Sequence, residues 1–191
     1  MTNFKQSIER HRTTLEAEFS SNAMVVFLCG PSSKRRPEAG AELRFRLGEA
    51  LTAAGFEVVL GEDDGLEFLQ KKYGKYAHEN ELHFVIDQAA AIVLVADSVG
   101  SYCELGMFAD RMVYEHRSAS QDFVLIARAE FEADPSYFNR GPAKVVADFW
   151  TTYYVDFATF DVQGVVERLR RRRTIFVTET RGRPRGKGPE A

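Results

Sequence analysis

Two carboxylic acids close together in the chain are the residues best placed to do chemistry. Asp97 ends the apolar run Ala91-Ile92-Val93-Leu94-Val95-Ala96, and Glu104 closes the segment Ser98-Val99-Gly100-Ser101-Tyr102-Cys103-Glu104 that follows. Two acids held about 5–5.5 Å apart serve retaining glycosyl transfer, one as nucleophile toward an anomeric carbon and one as acid/base. The spacing also fits an ordinary helix start, with Ser101 as cap and Glu104 bonded back to the Ser101 backbone N–H. If Glu104 faces a pocket from the first turn, the positive helix end keeps it ionised near neutral pH. Asp97 reads two ways, as proton donor to a leaving group or as a cap of its own loop.

Other chemistries lack a pattern. His78 and His83 miss the i, i+4 spacing of a helical metal pair, and His11 and His116 are isolated. No Gly-x-Gly-x-x-Gly follows the first strand and no Gly-x-x-x-x-Gly-Lys-Ser/Thr occurs, so neither a metal nor a cofactor is expected. Cys29 and Cys103 have no pairing or metal spacing and read as reduced thiols.

The elements that must position these acids follow from periodicity. Met24–Cys29 is a short apolar run ending at Gly30-Pro31, the mark of a strand buried on both faces. A helix over Glu38–Ala54 carries Leu43, Leu47, Ala50 and Leu51 on one face and stops at Gly55. Strands over Phe56–Leu60, Ala91–Ala96, Phe123–Ala127 and Thr151–Val155 alternate with helices over Tyr76–Ala90, Tyr102–Glu115, a short one after Gly141-Pro142, and Thr159–Arg173. Such alternation predicts an α/β three-layer sandwich, flavodoxin-like or Rossmann-like, whose five-stranded parallel sheet has order 2-1-3-4-5. Ligands then bind where the strand order reverses, between the first and third strands. There Gly30, Pro31 and Ser32 meet the Asp97–Tyr102 loop.

At 191 residues, 45% hydrophobic and 28% charged, the chain has the composition of one folded core. The expected organisation is an amphipathic helix within 1–23, with Phe4, Ile8, Leu15 and Phe19 on one stripe, a single α/β domain over 24–173, and a basic tail over 174–191. No apolar run of about 18 residues or secretory h-region is present, so a cytoplasmic protein without membrane contact is expected. The net charge of −3 conceals an asymmetry: residues 1–167 hold 16 basic and 26 acidic groups, and residues 168–191 hold 9 and 2. The Arg181-Gly182-Arg183-Pro184-Arg185 core of the tail resembles an AT-hook, a candidate for nucleic-acid contact, against the alternative of a solubilising tail. Lys34-Arg35-Arg36 is a candidate for substrate phosphate, or a solvated loop.

The segment from Ile92 to Phe108, with its Glu104-Leu105-Gly106, resembles the nucleophile segment of the nucleoside 2-deoxyribosyltransferase superfamily. Phe27-Leu28-Cys29-Gly30-Pro31 resembles that superfamily's first strand and sugar-side loop. Together with Tyr137-Phe138-Asn139-Arg140-Gly141-Pro142, the chain is most similar to the deoxyribosyltransferase-like toxins of retron anti-phage systems. The resemblance implies cleavage of the base–sugar bond of a nucleotide, NAD or a nucleoside monophosphate. Glu104 would be the nucleophile and Asp97 the acid, while Gly30, Pro31, Ser32, Ser101 and Tyr102 would shape the sugar pocket. Where the superfamily carries an acid before the third strand this chain has Ala90, which leaves Glu79, Glu81 or Asp87, and Glu81 is chosen. The resemblance further implies a homodimer in which Asn139 completes a neighbour's site. A different class remains open, a nucleotide-signal sensor without catalysis, favoured if Glu104 is bonded back to Ser101.

Overall fold

The computed structural model describes residues 2–21, 23–36, 38–62, 68, 71, 76–114 and 121–178. Helix α1 (Thr2–Ser21) precedes β1 (Val25–Cys29), α2 (Ala39–Ala53) and β2 (Glu57–Leu60). Then come α3 (Ala77–Asp87), β3 (Ala91–Ala96), α4 (Val99–Tyr114) and β4 (Asp122–Arg128), and finally α5 (Tyr137–Arg140), α6 (Pro142–Phe149), β5 (Thr151–Val155) and α7 (Gln163–Thr178). The five strands pair in parallel in the order β2-β1-β3-β4-β5. This is the expected Rossmann-like arrangement, with its switch point between β1 and β3.

Alternation along each strand divides the core between two helical layers. Val26, Leu28, Val93, Val95, Val124 and Ile126 pack with Leu43, Leu47 and Leu51 of α2 and with Val165, Val166 and Leu169 of α7. Phe27, Cys29, Ile92, Leu94, Phe123 and Leu125 face the other way, toward Val85 of α3, Leu105, Phe108 and Met112 of α4, and Val146 of α6. Every residue of β3 is buried, which explains why the central strands read as uninterrupted apolar runs.

Local chemistry sets the helix ends. Helix α2 stops because Gly55 takes φ +80°, while its N–H bonds the Thr52 carbonyl at 2.9 Å and the Phe56 N–H bonds Leu51 at 3.1 Å, a Schellman ending. The last helix starts at Gln163, later than expected, because Asp161 Oδ1 accepts the Gln163 N–H at 2.9 Å. Of the stripe predicted on α1, Ile8 is exposed. The side chains of Phe4, Leu15 and Phe19, and the Arg181–Arg185 segment, lie outside the described residues. No helix among the described residues is long and apolar enough to cross a membrane.

One polar clamp ties α7 to the sheet. Asp122, the first residue of β4, is fully buried and accepts from Arg168 Nε at 2.8 Å and Nη2 at 2.7 Å, with Arg172 Nε at 3.6 Å. Asp122→Ala leaves two guanidiniums without their buried counter-charge and should destabilise the fold by about 3 kcal/mol. Urea unfolding of the variant beside the parent checks this; an unchanged midpoint would show that water satisfies both arginines.

Candidate active site

The site begins with a glycine that no other residue replaces. Gly30 leaves β1 at φ +144°, and a Cβ there would meet the Val95 side chain and carbonyl at 3.1 Å and Arg44 Cδ at 3.2 Å. The chain thereby turns tightly across the end of β3, and Pro31 behind it is buried.

Arg44 of α2 holds this turn in place. The residue is only 4% exposed. It donates to the Leu28 carbonyl from Nε at 3.3 Å and Nη2 at 3.0 Å, to the Pro31 carbonyl from Nη1 at 3.2 Å, and to both Glu62 oxygens at 2.7 Å. One guanidinium therefore connects the end of β1, the loop after it and the segment after β2. Sequence reading missed Arg44 and Glu62, although an arginine inside the buried stripe Gly40, Leu47, Leu51 was a signal.

The cap of α4 differs from the expected one. The helix begins at Val99, not Tyr102. Ser98 Oγ accepts the Ser101 N–H at 3.2 Å and Ser101 Oγ accepts the Ser98 N–H at 2.9 Å, a reciprocal cap made by two serines. Ser101 is buried in that network and also accepts the Asp97 N–H at 3.1 Å, so it supports the loop and does not line a sugar pocket. Glu104 lies beyond the first turn, and the bond back to Ser101 is already supplied by Ser98. The Oε2 of Glu104 is buried with no hydrogen-bond partner among the described residues.

The environment of Glu104 reverses the expectation that the helix end keeps it ionised. Burial comes first and the negative charge of Glu81 second, with Glu62 adding to both and Arg44 opposing; together they raise its pKa from the ordinary 4.5 to about 7. Glu81 sits beside Gly61, where a Cβ would approach its Oε1 to 2.7 Å. Its pKa too is raised, by burial and then by Glu62, against Arg44 and His78. Of the three acids weighed on α3, Glu79 is turned to the helix start, its Oε2 accepting the Tyr76 N–H at 3.4 Å, and Asp87 is exposed. The buried Cys29 thiol feels the same cluster, its pKa raised well above the usual value by burial, then Glu104 and Glu81. It is an inert core thiol.

Asp97 does not join Glu104. It continues the Val93–Val95 side of β3, packs against Gly40 of α2 where any Cβ would overlap it, and accepts from Arg128 Nε at 2.6 Å and Nη2 at 2.9 Å. The acids that perturb Glu104 are Glu81 and Glu62, not Asp97. The expected Asp97–Glu104 pair is thus replaced by a Glu81–Glu104 pair on the opposite face, because Asp97 and the residues of β3 obey strict alternation.

The remaining candidates divide. Tyr102 is half-buried, edge-on to Phe138 at 5.7 Å, its hydroxyl pKa raised by burial and by Asp97. Ser32 is half-buried and accepts the Lys34 N–H at 3.3 Å. Asn139 is consumed internally: its amide donates to the Phe131 carbonyl and, at 2.8 Å, to the Asp134 carbonyl, and its oxygen accepts the Tyr154 hydroxyl at 2.7 Å. It braces its own loop and is not presented to a neighbour. Arg35 pairs with Glu38 at 2.9 Å and Arg36 with Glu42 at 2.6 Å, which leaves Lys34 of the basic triplet exposed for an anion. Among the described residues no group of His, Cys, Asp and Glu is arranged to hold a metal ion.

A family model described as STM3845 retron effector protein matches residues 44–180, more than half of the chain and including Arg44, Glu62, Glu81 and Glu104. No curated protein and no solved structure matches the chain.

The strained carboxyl has a thermodynamic signature. Glu104 binds its proton more tightly folded than unfolded, so its burden on stability is absent below about pH 4.5 and complete above about pH 7. Glu104→Gln should therefore stabilise the fold at pH 8 by up to about 3 kcal/mol, with the gain vanishing toward pH 4.5. Denaturant titrations across that range test it; a pH-independent difference would contradict the assignment.

Proposed function

Since the chain belongs to the STM3845 retron effector protein family, a membership consistent with anti-phage defence, we propose that it acts there as an N-glycosidase-type enzyme on a nucleotide, through Glu104. One observation carries the reading: a carboxyl oxygen buried without a hydrogen-bond partner among the described residues, near the switch point where open α/β sheets bind ligands.

The chemistry follows from the charges around that oxygen. With a pKa of about 7, Glu104 is ionised in about half of the molecules at neutral pH, and a desolvated carboxylate is a strong nucleophile. Its oxygen attacks the anomeric carbon, the C–N bond breaks, and the base departs with the electron pair. Glu81, whose raised pKa fits an acid, supplies a proton where the leaving base needs one. Water then attacks the glycosyl ester and frees Glu104 with retention of configuration, its proton passing to Glu81, which is ionised from the start where the leaving base needs no proton and otherwise by the proton it has just given. Gly30 and Pro31, fixed by Arg44, form the floor on the sugar side, and Asp97 with Arg128 positions the loop that leads into α4.

The same charges discriminate among nucleotides. Among the described residues Glu62 and Glu81 both act on Glu104, with Arg44 opposing, so the crevice is acidic in character. It stabilises an oxocarbenium-like transition state and favours a cationic base–sugar linkage. NAD, whose nicotinamide is a pyridinium, is therefore the preferred substrate over nucleoside monophosphates, whose base–sugar linkage carries no charge. Ser98, and not Glu104, completes the cap, so the bond back to Ser101 that would favour a sensor is not what holds Glu104.

The test is release of free base, followed by chromatography, from NAD and from a panel of nucleoside monophosphates. The parent chain should release nicotinamide with a rate that rises as pH passes about 7. Glu104→Gln should slow it by at least about 10³-fold, and Glu81→Gln by about 10²-fold. Tight nucleotide binding without release by the parent, or release undiminished in Glu104→Gln, would overturn the proposal.

A further inference from the structure

Away from the crevice, at the β5–α7 side of the sheet, lies a groove of about 270 Å³ lined by Tyr153, Gly164, Glu167, Arg168, Arg171 and Arg172. Three guanidiniums lie along one face of α7 here, and only part of their capacity is used. Arg168 commits Nε and Nη2 to Asp122 beneath the groove. Arg172 comes to 3.6 Å of the same carboxylate, yet its buried Nε makes no hydrogen bond among the described residues. Arg171 has 83% of its side chain exposed, with Glu167 at 4.0 Å as its partner, a contact too long and too solvated to neutralise it. A fully buried Asp122 thus preorganises two arginines while a third, Arg171, stays largely exposed beside Glu167.

We propose that this groove binds the phosphodiester backbone of a nucleic-acid strand, a site separate from Glu104 and independent of the proposed activity. Guanidiniums one helical turn apart, about 5.4 Å, suit consecutive phosphates better than one small anion. The sequence is basic here as well: residues 168–191 hold 9 basic and 2 acidic groups, Arg181, Arg183, Arg185 and Lys187 among them, a composition that a polyanion rewards through counterion release. Arg168 and Arg172, held from below, fix the strand's position, while the exposed Arg171 adds electrostatic reach.

The experiment is fluorescence anisotropy of a labelled single-stranded oligonucleotide titrated with the full chain between about 50 and 200 mM salt. Arg171→Glu touches no buried partner and leaves base release unchanged. It should weaken binding about tenfold and lower the salt slope by about one. A second full-length variant carries Arg181→Gln, Arg183→Gln and Arg185→Gln, and should bind more weakly than the parent while remaining sensitive to Arg171→Glu. The proposal fails if the parent does not bind, or if Arg171→Glu binds like the parent and the tail substitutions alone abolish binding. It fails equally if inorganic phosphate at millimolar concentration or anionic phospholipid vesicles displace the oligonucleotide as well as unlabelled strand does.

Discussion

A carboxyl oxygen taken out of water with no hydrogen-bond partner among the described residues is the constraint around which the described structure is arranged. Burial of an unpaired polar group costs about 1–3 kcal/mol even when neutral, and more when charged. Glu104 carries that cost beside two further carboxylates, an arrangement that packing alone does not demand, since Leu105 and Phe108 of the same helix fill the core. What makes it tolerable is Arg44. Its five polar contacts hold Leu28, Pro31 and Glu62, and its charge offsets part of the repulsion. Because Glu62 takes both oxygens to that guanidinium, Arg44 is left as a distant moderator of Glu104 and not as its partner. The Glu104 carboxyl consequently stays close to its titration point near neutral pH.

The fold supplies the place where such an arrangement survives. A parallel sheet of order β2-β1-β3-β4-β5 opens a crevice between β1 and β3, and strand alternation then decides which acids enter it. Asp97 goes to the α2–α7 side, where Arg128 neutralises it; Glu81 and Glu104, on α3 and α4, share the other. Two ion pairs that seem alike therefore serve different ends: Asp97–Arg128 sets the geometry of the loop, while Arg44–Glu62 sets both the geometry and the field of the crevice.

Much of this was legible in the sequence. The uninterrupted apolar runs of β1, β3 and β4 announce a buried parallel sheet, and Gly55 announces the end of α2. What stayed hidden depends on contacts between distant segments. A serine cap is satisfied equally by Ser98 or Ser101, and only the backbone path selects Ser98. The reach of Asp97 toward Arg128 depends on the neighbouring strand, and the occupation of Asn139 depends on Tyr154 and two carbonyls of its own loop. Arg44 was visible as a charge in an apolar stripe, but its meaning required Glu62, which lies in a segment without periodicity.

The central claim is that Glu104 is desolvated and coupled to Glu81, and a site-resolved pH titration tests it most directly. With side-chain carboxyl carbons of glutamate labelled and the Glu104 resonance assigned by its loss in Glu104→Gln, the account predicts a midpoint near 7. In Glu81→Gln that midpoint should fall. A midpoint at the ordinary 4.5, unmoved by Glu81→Gln, would mean that water reaches the carboxyl and that the crevice is not the site described.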